Sequence, residues 1–273
     1  MLEQMLSRYT ITSKEQRLQA LREVMQEIAL AGLYRSGFFD KAAFYGGTCL
    51  RIFYQLPRYS EDLDFSLLCI DEAFRLEPYF QAIIDEFAAL GIGVAISRKA
   101  KSQETAIESA FLKNTTQVFD ISLSGPQLIK IKLEVDTQPP LGFATEEKLL
   151  LEPYSFYVKC FRLPDLFAGK MHALLFRQWK HRVKGRDWFD FEWYVRKRVP
   201  LSLAHFNQRA LQSGSIVSPV DAEGFRQLLL QKIQTVDLDN AKLDVERFVV
   251  DGAALAIWSR GYFADLTEQL IIE

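Results

Sequence analysis

The segment from residue 42 to residue 68 constrains the fold of this chain more than any other. It contains the runs AAFYGG, TCLRIFYQ and DLDFSLL, in that order. The first run is apolar and ends in two glycines, which predicts a strand that enters a tight turn. The second run predicts a helix that Pro57 ends. The third alternates polar and apolar residues, as a strand with one polar face does.

The two glycines indicate a site where a phosphate group can approach the backbone. Gly46 and Gly47 carry no Cβ, so an anion can lie close to their main chain. The amide groups at the start of the following helix then point at that anion. Thr48 can cap the helix or bond a phosphate oxygen. A Gly-Gly pair alone is an ordinary turn, and it gains meaning from the elements around it.

Two aspartates on the next strand predict a magnesium site. Asp62 and Asp64 are two residues apart, so both carboxylates project from one face of the strand. Hard anionic oxygens are the ligands that Mg²⁺ prefers, and two of them leave room for substrate phosphates and water. The alternative is a strand edge whose acids are only solvated.

A third carboxylate is expected on a neighbouring strand, in the run IKLEVDT at 131–137. Both Glu134 and Asp136 lie on its polar face. Glu134 is favoured, because it is flanked by Leu133 and Val135, although Asp136 stays open as a metal ligand. The alternative is an ordinary amphipathic strand whose acids pair with Lys130 and Lys132.

Hydrophobic periodicity divides the remaining chain into a mixed first half and a mainly helical second half. A helix is predicted over 13–35, with Thr12 or Ser13 as its cap. Further helices are predicted over 72–90, 164–180, 187–198, 221–234 and 262–271, and further strands over 92–98, 104–112, 117–123, 128–136 and 154–160. Pro139, Pro140 and Gly142 suggest a boundary between an α+β domain, 1–143, and a helical domain, 144–273.

Charge is distributed unevenly along the chain. The net charge is −2, which argues against a protein coated in nucleic acid. Residues 170–198, however, hold nine Lys or Arg against three Asp or Glu. A basic stripe on an acidic body suits a site that handles phosphates, although a solvated helix face would show the same pattern. Candidate acceptor-binding residues in this stripe are Lys180, Arg182, Lys184 and Arg186.

Several classes of protein do not fit the sequence. The N-terminal residues contain no apolar core of a secretory signal, and no run of 18 apolar residues predicts a membrane span. Three widely spaced cysteines, Cys49, Cys69 and Cys160, match no metal or disulfide pattern,. We therefore expect a cytoplasmic protein with reduced, buried cysteines and no membrane partner.

The first motif resembles the nucleotidyltransferase superfold that includes polymerase beta. Its spacing is similar to that of one subfamily, the AbiEii/AbiGii-type toxins of type IV toxin–antitoxin and abortive-infection systems. The block of that family matches here at Gly46-Gly47-Thr48-x-Leu50-Arg51 and at Pro57-Arg58-x-Ser60-x-Asp62-Leu63-Asp64-Phe65. The resemblance implies a mixed sheet with flanking helices, joined to a helical C-terminal region. Arg58 and Ser60 in this block are added to the nucleotide-binding candidates. Arg58 could instead stabilise the loop that holds Asp62, and Ser60, two residues before Asp62, could form a hydrogen bond within that loop.

A second block extends the resemblance to about residue 194. The family carries a helical lysine and, later, an Arg-Asp-x-x-Asp element, here Lys170 and Arg186-Asp187-x-x-Asp190. A lysine ammonium is a compact cation suited to a triphosphate, so Lys170 is expected to bind the nucleotide and assist catalysis. Asp187 and Asp190 share a helix face. One of them is expected to orient Lys170 or Arg186, or to act as a general base.

The resemblance implies a Mg²⁺-dependent enzyme that moves a nucleoside monophosphate from an NTP to an acceptor. RNA, such as a tRNA end, is the expected acceptor, and an antitoxin encoded nearby is the expected partner. Asp62, Asp64 and Glu134 are the expected metal ligands. Two alternatives stay open: transfer to a protein or small molecule, and a non-catalytic nucleotide-binding regulator on the same fold.

Overall fold

The computed structural model of the protein describes residues 2–98, 116–123, 129–177, 183–249 and 252–273. The strands in these ranges are β1 Ala42–Tyr45, β2 Asp62–Leu67, β3 Val94–Arg98, β4 Thr116–Leu123, β5 Lys130–Asp136, β6 Thr145–Leu150 and β7 Phe156–Phe161. The α-helices are α1 Leu2–Leu6, α2 Lys14–Arg35, α3 Gly46–Tyr54, α4 Phe80–Ala89, α5 Leu163–Phe176, α6 Gly185–Arg196, α7 Leu203–Gln212, α8 Ala222–Thr235, α9 Leu238–Glu246 and α10 Arg260–Glu268.

The seven strands form one mixed sheet in the order β3-β4-β5-β2-β1-β7-β6. The central strand β2 runs antiparallel to β1 and parallel to β5. Strand β7 lies parallel to β1 on its other side. The predicted fold class, a mixed sheet with flanking helices and a helical C-terminal region, is confirmed.

The alternation in β2 separates an apolar face of the sheet from a polar one. Leu63, Phe65 and Leu67 are buried in the core. Phe65 packs edge-on against Phe38, which follows α2. Helix α2 packs on α4 and also contacts β5 and β7. The apolar side of the sheet is thus covered, and the carboxylates of β2 project from the other side.

The first long helix begins where its capping residues predict. Ser13 caps α2 by accepting a hydrogen bond from the Gln16 amide, 3.1 Å away. The Gln16 side chain in turn accepts from the amide of Thr12 at 2.8 Å. Reciprocal capping of this kind satisfies donors that a helix start leaves without partners.

The sheet continues beyond the domain boundary suggested at residue 143. Strand β6, which the sequence patterns missed, pairs antiparallel with β7, and β7 lies beside β1. Residues 145–161 therefore belong to the same sheet as the Gly-Gly motif. The reason is that Pro139, Pro140 and Gly142 form only a connection, and these residue types mark loops within domains as readily as between them.

Helices α5 to α10 pack beside this sheet. Four of them match predicted helices, whereas α7 and α9 were not predicted. Helix α5 packs on α6 and α7, and α6 packs on α9 and α10. The chain returns at its end, where Glu273 donates to the Leu201 carbonyl and accepts from the Leu203 amide at 3.0 and 2.9 Å.

Other predictions differ from the structure in detail. The helix predicted over 72–90 is shorter, because a 3-10 turn at Glu77–Tyr79 precedes α4. The strand predicted over 104–112 lies outside the described residues. Cys49 and Cys160 are buried as expected, but Cys69 is exposed. Among the described helices, none has the length and apolar character that crossing a bilayer requires.

Candidate active site

A row of carboxylates forms where β2 and β5 lie side by side. The register pairs Asp62 with Lys132 and Asp64 with Glu134. Paired residues on neighbouring strands project from the same face of a sheet, so Asp62, Asp64 and Glu134 line one surface. The structure thus brings together the three carboxylates that the sequence favoured.

Asp136, the other candidate for the third carboxylate, lies two residues after Glu134 along β5. It pairs with Ser66 and is only 7% exposed. Its Oδ1 accepts a hydrogen bond from the Gln138 amide at 3.0 Å. Burial raises the pKa of Asp136, against the effects of that hydrogen bond and of Arg209. Glu134 is therefore the candidate that lies directly beside Asp64.

Lys132 lies between two members of this row. Its Nζ is 2.8 Å from Glu134 Oε1 and 3.3 Å from Asp62 Oδ2. Although burial opposes it, the nearby Glu134 and Asp62 raise the pKa of Lys132, so the ammonium stays protonated. The sequence had presented this lysine only as an ion-pair partner in the amphipathic-strand alternative, and that ion pair is present.

Asp64 has the most perturbed carboxyl of the row. Its pKa is raised to about 7, first because the surrounding protein keeps water away and then because Glu134 and Asp62 lie nearby. Lys132 and Lys170 oppose this rise. Repulsion between neighbouring carboxylates is relieved when a cation binds among them.

Gly46 and Gly47 let this row lie against the start of α3. Gly46 has φ +81°, and a Cβ there would collide with the Asp64 carboxylate. A Cβ on Gly47 would lie 2.8 Å from Ser60 Oγ and 2.9 Å from Arg58 Nη2. No side chain caps α3 among the described residues. The first amides of α3 therefore point toward the same region as the carboxylates.

Thr48 does not face the cleft, in contrast to its predicted role as a phosphate ligand. It is fully buried, and its hydroxyl donates to the Asp62 carbonyl. The contact joins α3 to the first residue of β2, so Thr48 fixes the position of the Asp62 backbone relative to α3. Ser60, also predicted to bind nucleotide, packs against Gly47, and its carbonyl accepts from Gln26 at 3.1 Å.

Arg58 likewise points into the protein, although it too was predicted to bind nucleotide. It is 1% exposed, and its Nε and Nη2 donate to the two carboxylate oxygens of Asp190, both at 2.6 Å. Its Nη1 donates to the Tyr59 carbonyl at 3.0 Å. A guanidinium with these partners stabilises the loop that leads to Asp62, the alternative to phosphate binding that the sequence left open.

Lys170 approaches the carboxylate row from α5. Its Nζ lies 2.7 Å from Asp190 Oδ2 and 3.3 Å from Asp187 Oδ1. Although burial opposes it, Arg58 and Lys170 lower the pKa of Asp190, so this buried acid stays ionised. Asp187 and Asp190 therefore orient Lys170, which was one of their predicted roles.

Of the four acceptor-binding candidates in the basic stripe, the structure describes two, Lys184 and Arg186. The pKa of Lys184 is lowered to about 8, mainly by burial and also by nearby cations. Arg186 lies 3.5 Å from Glu61 Oε2 and stacks over the Phe248 ring at 4.2 Å. Lys180 and Arg182 lie outside the described residues. A cleft of about 390 Å³ beside Asp187 is lined by Lys184 and also by Arg177 and Lys232.

Two further residues near the site carried no recognisable sequence signal. Tyr45 ends β1 and stacks on Phe161 with ring centroids 5.3 Å apart. Loss of water and the charge of Asp64 raise the pKa of Tyr45, whereas Arg209 of α7 lowers it. Arg209 therefore lies near Tyr45 and Asp136. Lone arginines on helices are common, so the sequence gave no reason to select this one.

Comparisons with known proteins agree with this geometry. The profile of the family described as "Nucleotidyl transferase AbiEii toxin, Type IV TA system" matches residues 11–261. Among curated proteins, no relative matches the chain.

Two solved structures share the fold. JHP933 from Helicobacter pylori is 16% identical, with a TM-score of 0.51 over 94% of this chain and 90% of its own. MenT4, the nucleotidyltransferase toxin Rv2826c from Mycobacterium tuberculosis H37Rv, is 16% identical, with a TM-score of 0.52 over 98% of this chain and 88% of its own. Since the family profile extends over nearly the whole chain and the signature residues converge in the fold, this protein belongs to the AbiEii family of nucleotidyltransferase toxins of type IV toxin–antitoxin systems.

Proposed function

We propose that this toxin transfers a nucleoside monophosphate from an NTP to an RNA acceptor, with Mg²⁺ bound at the carboxylate row of Asp62, Asp64 and Glu134. The observation that carries the proposal is the row of these three carboxylates against the uncapped start of α3, with Lys170 opposite. Carboxylate oxygens are the ligands that Mg²⁺ prefers, and the amides at a helix N-terminus bind phosphate oxygens. Together these groups suit a metal-bound triphosphate.

The oxygen ligands of the row are of the type that a divalent cation binds, although no three acidic, histidine or cysteine side chains in the described parts of the chain are arranged to hold an ion by themselves,. Burial first, and then the nearby Glu134 and Asp62, raise the pKa of Asp64. The Lys132 ammonium already lies between Asp62 and Glu134, so a cation is accommodated in this row. When bound, Mg²⁺ would neutralise charge on the triphosphate and polarise the reacting oxygens.

The residues of the chain then have distinct tasks. The first amides of α3 and the Lys170 ammonium bind the triphosphate. The acceptor hydroxyl forms a bond to the α-phosphorus, the bond to the bridging oxygen breaks, and pyrophosphate leaves. Glu134 is also paired with a lysine, Lys132, but it is 31% exposed, whereas Asp187 and Asp190 are 5% and 0% exposed, so Glu134 takes the hydroxyl proton. We therefore assign these two aspartates as positioning residues.

RNA is the acceptor class that the charge pattern favours. The stripe from 170 to 198 is strongly basic on an otherwise acidic chain. Lys184 and Arg186 from this stripe lie around Asp187, next to Lys170. Phosphate contacts from lysine and arginine supply most of the sequence-independent affinity for nucleic acid. The family also implies a cognate antitoxin, which we propose as a partner in the cell.

The test is incubation with each α-phosphate-labelled NTP, Mg²⁺ and total cellular RNA. We expect label in RNA with the parent protein and at least about 100-fold less with the Asp62→Asn, Asp64→Asn double variant, because the charges that hold the metal are gone. A Lys130→Met variant is the control, since Lys130 is exposed on the neighbouring strand β5, which also carries Glu134. Label on protein or a small molecule would replace RNA as acceptor, and no label with any NTP would favour a non-catalytic regulator.

A further inference from the structure

The carboxylates of the row differ in the partners that the protein gives them. Lys132 Nζ is shared by Glu134 and Asp62, at 2.8 and 3.3 Å. The Asp64 carboxylate, in contrast, forms no hydrogen bond or ion pair within the described parts of the chain. The Lys132 ammonium therefore compensates the charge of Asp62 and Glu134, and Asp64 has no such partner in the described parts of the chain.

The position of Lys132 follows from the register of the sheet. Lys132 lies directly across from Asp62 on β2, and Glu134 is two residues further along β5 on the same face. The side chain is 27% exposed, similar to its partners Asp62 and Glu134 at 36% and 31%. Its ammonium is thus held at the level of the carboxylates and does not extend freely into solvent.

A divalent ion that bridged Asp62 and Glu134 would need the space that this ammonium occupies. Mg²⁺ binds carboxylate oxygens at about 2.0–2.1 Å. An ion at that distance from both groups would lie next to the ammonium and repel it. The lysine and a bridging ion are therefore alternatives at the Asp62–Glu134 position, whereas Asp64 can bind an ion beside the lysine.

We propose that Lys132 is a built-in second cation, so that the site takes one divalent ion, bound by Asp64 with an oxygen of Asp62, where other nucleotidyl-transfer sites take two. In two-metal sites the second ion lies at the attacking oxygen. Here the Lys132 ammonium, beside Glu134, would supply that positive charge and would donate a hydrogen bond to the acceptor hydroxyl. This inference rests on the proposed function, because it assigns the positive charge at that same site to two sources, Lys132 and one metal ion.

The test counts bound Mn²⁺ per chain by electron paramagnetic resonance, with the ion alone as probe. The parent protein is expected to bind one Mn²⁺, and Lys132→Met to bind two, because the vacated edge then offers two free carboxylates. Lys132→Arg keeps the charge and is expected to bind one. Lys130→Met, the matched control on the same strand, is also expected to bind one, and circular dichroism checks that each variant is folded.

The outcomes separate this inference from the proposed function. Two ions on the parent protein, or a single ion on folded Lys132→Met with parent affinity, would overturn the second-cation role and leave metal-dependent transfer intact. No Mn²⁺ on any of these proteins would overturn both. One ion on the parent and two on Lys132→Met would establish the role of Lys132 even if the labelling assay detected no transfer.

Discussion

Gly46 shows how a single backbone position sets the geometry of the candidate site. Its positive φ is a conformation that residues with a Cβ adopt at a cost, and its missing Cβ leaves space for the Asp64 carboxylate,. Both properties are needed, because the turn ends β1 and starts α3 within one residue. The requirement for glycine therefore comes from the position of Asp64 as well as from any bound phosphate.

We expect Gly46→Ala to abolish nucleotidyl transfer, with a loss of at least about 100-fold, because the new Cβ displaces Asp64, a proposed metal ligand,. Gly91→Ala is the matched control: Gly91 also has positive φ, +73°, but a Cβ there meets nothing within 4 Å. Both variants are expected to lose about 1–2 kcal/mol of stability from backbone strain. Equal activity of the two alanine variants in the labelling assay would contradict this account.

The buried pair of Arg58 and Asp190 matters more for stability than ion pairs on the surface do. Both side chains are almost completely buried, and Asp190 also forms an ion pair with Lys170. Removing one partner of such a pair leaves the other charge buried without compensation.

Asp190→Asn is accordingly expected to lower the free energy of unfolding by about 3–5 kcal/mol, measured by urea titration. The comparison is Lys242→Met, which breaks a 3.9 Å contact to the 95% exposed Asp239. Exposed pairs contribute about 0–1 kcal/mol, so that variant is expected to remain close to the parent. A loss of less than 1 kcal/mol in Asp190→Asn would show that Arg58 finds another partner.

At the scale of elements, α6 is positioned by its contact with α9. Gly185 is the first residue of α6, and a Cβ on it would collide with the Ala241 carbonyl. Helix α6 also supplies Asp187 and Asp190, which orient Lys170. The separation between α6 and α9 therefore controls where the Lys170 ammonium lies.

Two glycine-to-alanine changes on neighbouring helices are expected to have opposite effects. Gly185→Ala forces α6 away from α9, so it is expected to cost about 1–3 kcal/mol and to reduce transfer. Gly169→Ala, one residue before Lys170, meets nothing within 4 Å and is expected to add about 0.5–1 kcal/mol, since alanine favours a helix interior,. Thermal unfolding decides this, and a loss of stability in Gly169→Ala would mean that α5 is packed more tightly there.

Elements with local signals could be predicted from sequence, and elements defined by distant partners could not. Ser13, the Gly-Gly turn and the alternation in β2 and β5 each indicate their own structure. Strand β6 was missed because its burial is irregular and its hydrogen bonds come from β7. Asp62 and Asp64 could be selected because their spacing is local, and Glu134 because its own strand alternates clearly. The inward turn of Arg58 could not be predicted, because its partner is 132 residues away.

At the scale of the whole molecule, stability is coupled to pH through buried histidines. His205 is 1% exposed, neither ring nitrogen has a hydrogen-bond partner among the described residues, and Phe143 and Phe161 pack edge-on to the ring. Burial, aided by Arg209, lowers the pKa of His205 to about 3. An unfolded histidine titrates near 6.5. As the pH falls below 6.5, the unfolded chain therefore binds a proton that the folded protein does not.

His205→Phe is expected to weaken the loss of stability at acid pH. Between pH 6.5 and about 4, the parent should lose up to about 1.4 kcal/mol per pH unit through this one group. The variant lacks that contribution, while at pH 7.5 the histidine is neutral in both states and the pH-linked difference disappears. Urea titrations at pH 7.5, 6.0 and 5.0 measure the slopes, and parallel curves for the two proteins would contradict the assignment.

The active cleft joins two distant parts of the chain, and this has a consequence for synthesis in the cell. The carboxylates of β2 are made early, but β7, Lys170 and Asp190 follow about a hundred residues later or more. Contacts between such distant segments form late in folding. A chain still being translated therefore has its aspartates in place without the lysine opposite them. Since the proposed transfer needs Lys170, the activity is expected only after most of the polypeptide has been made.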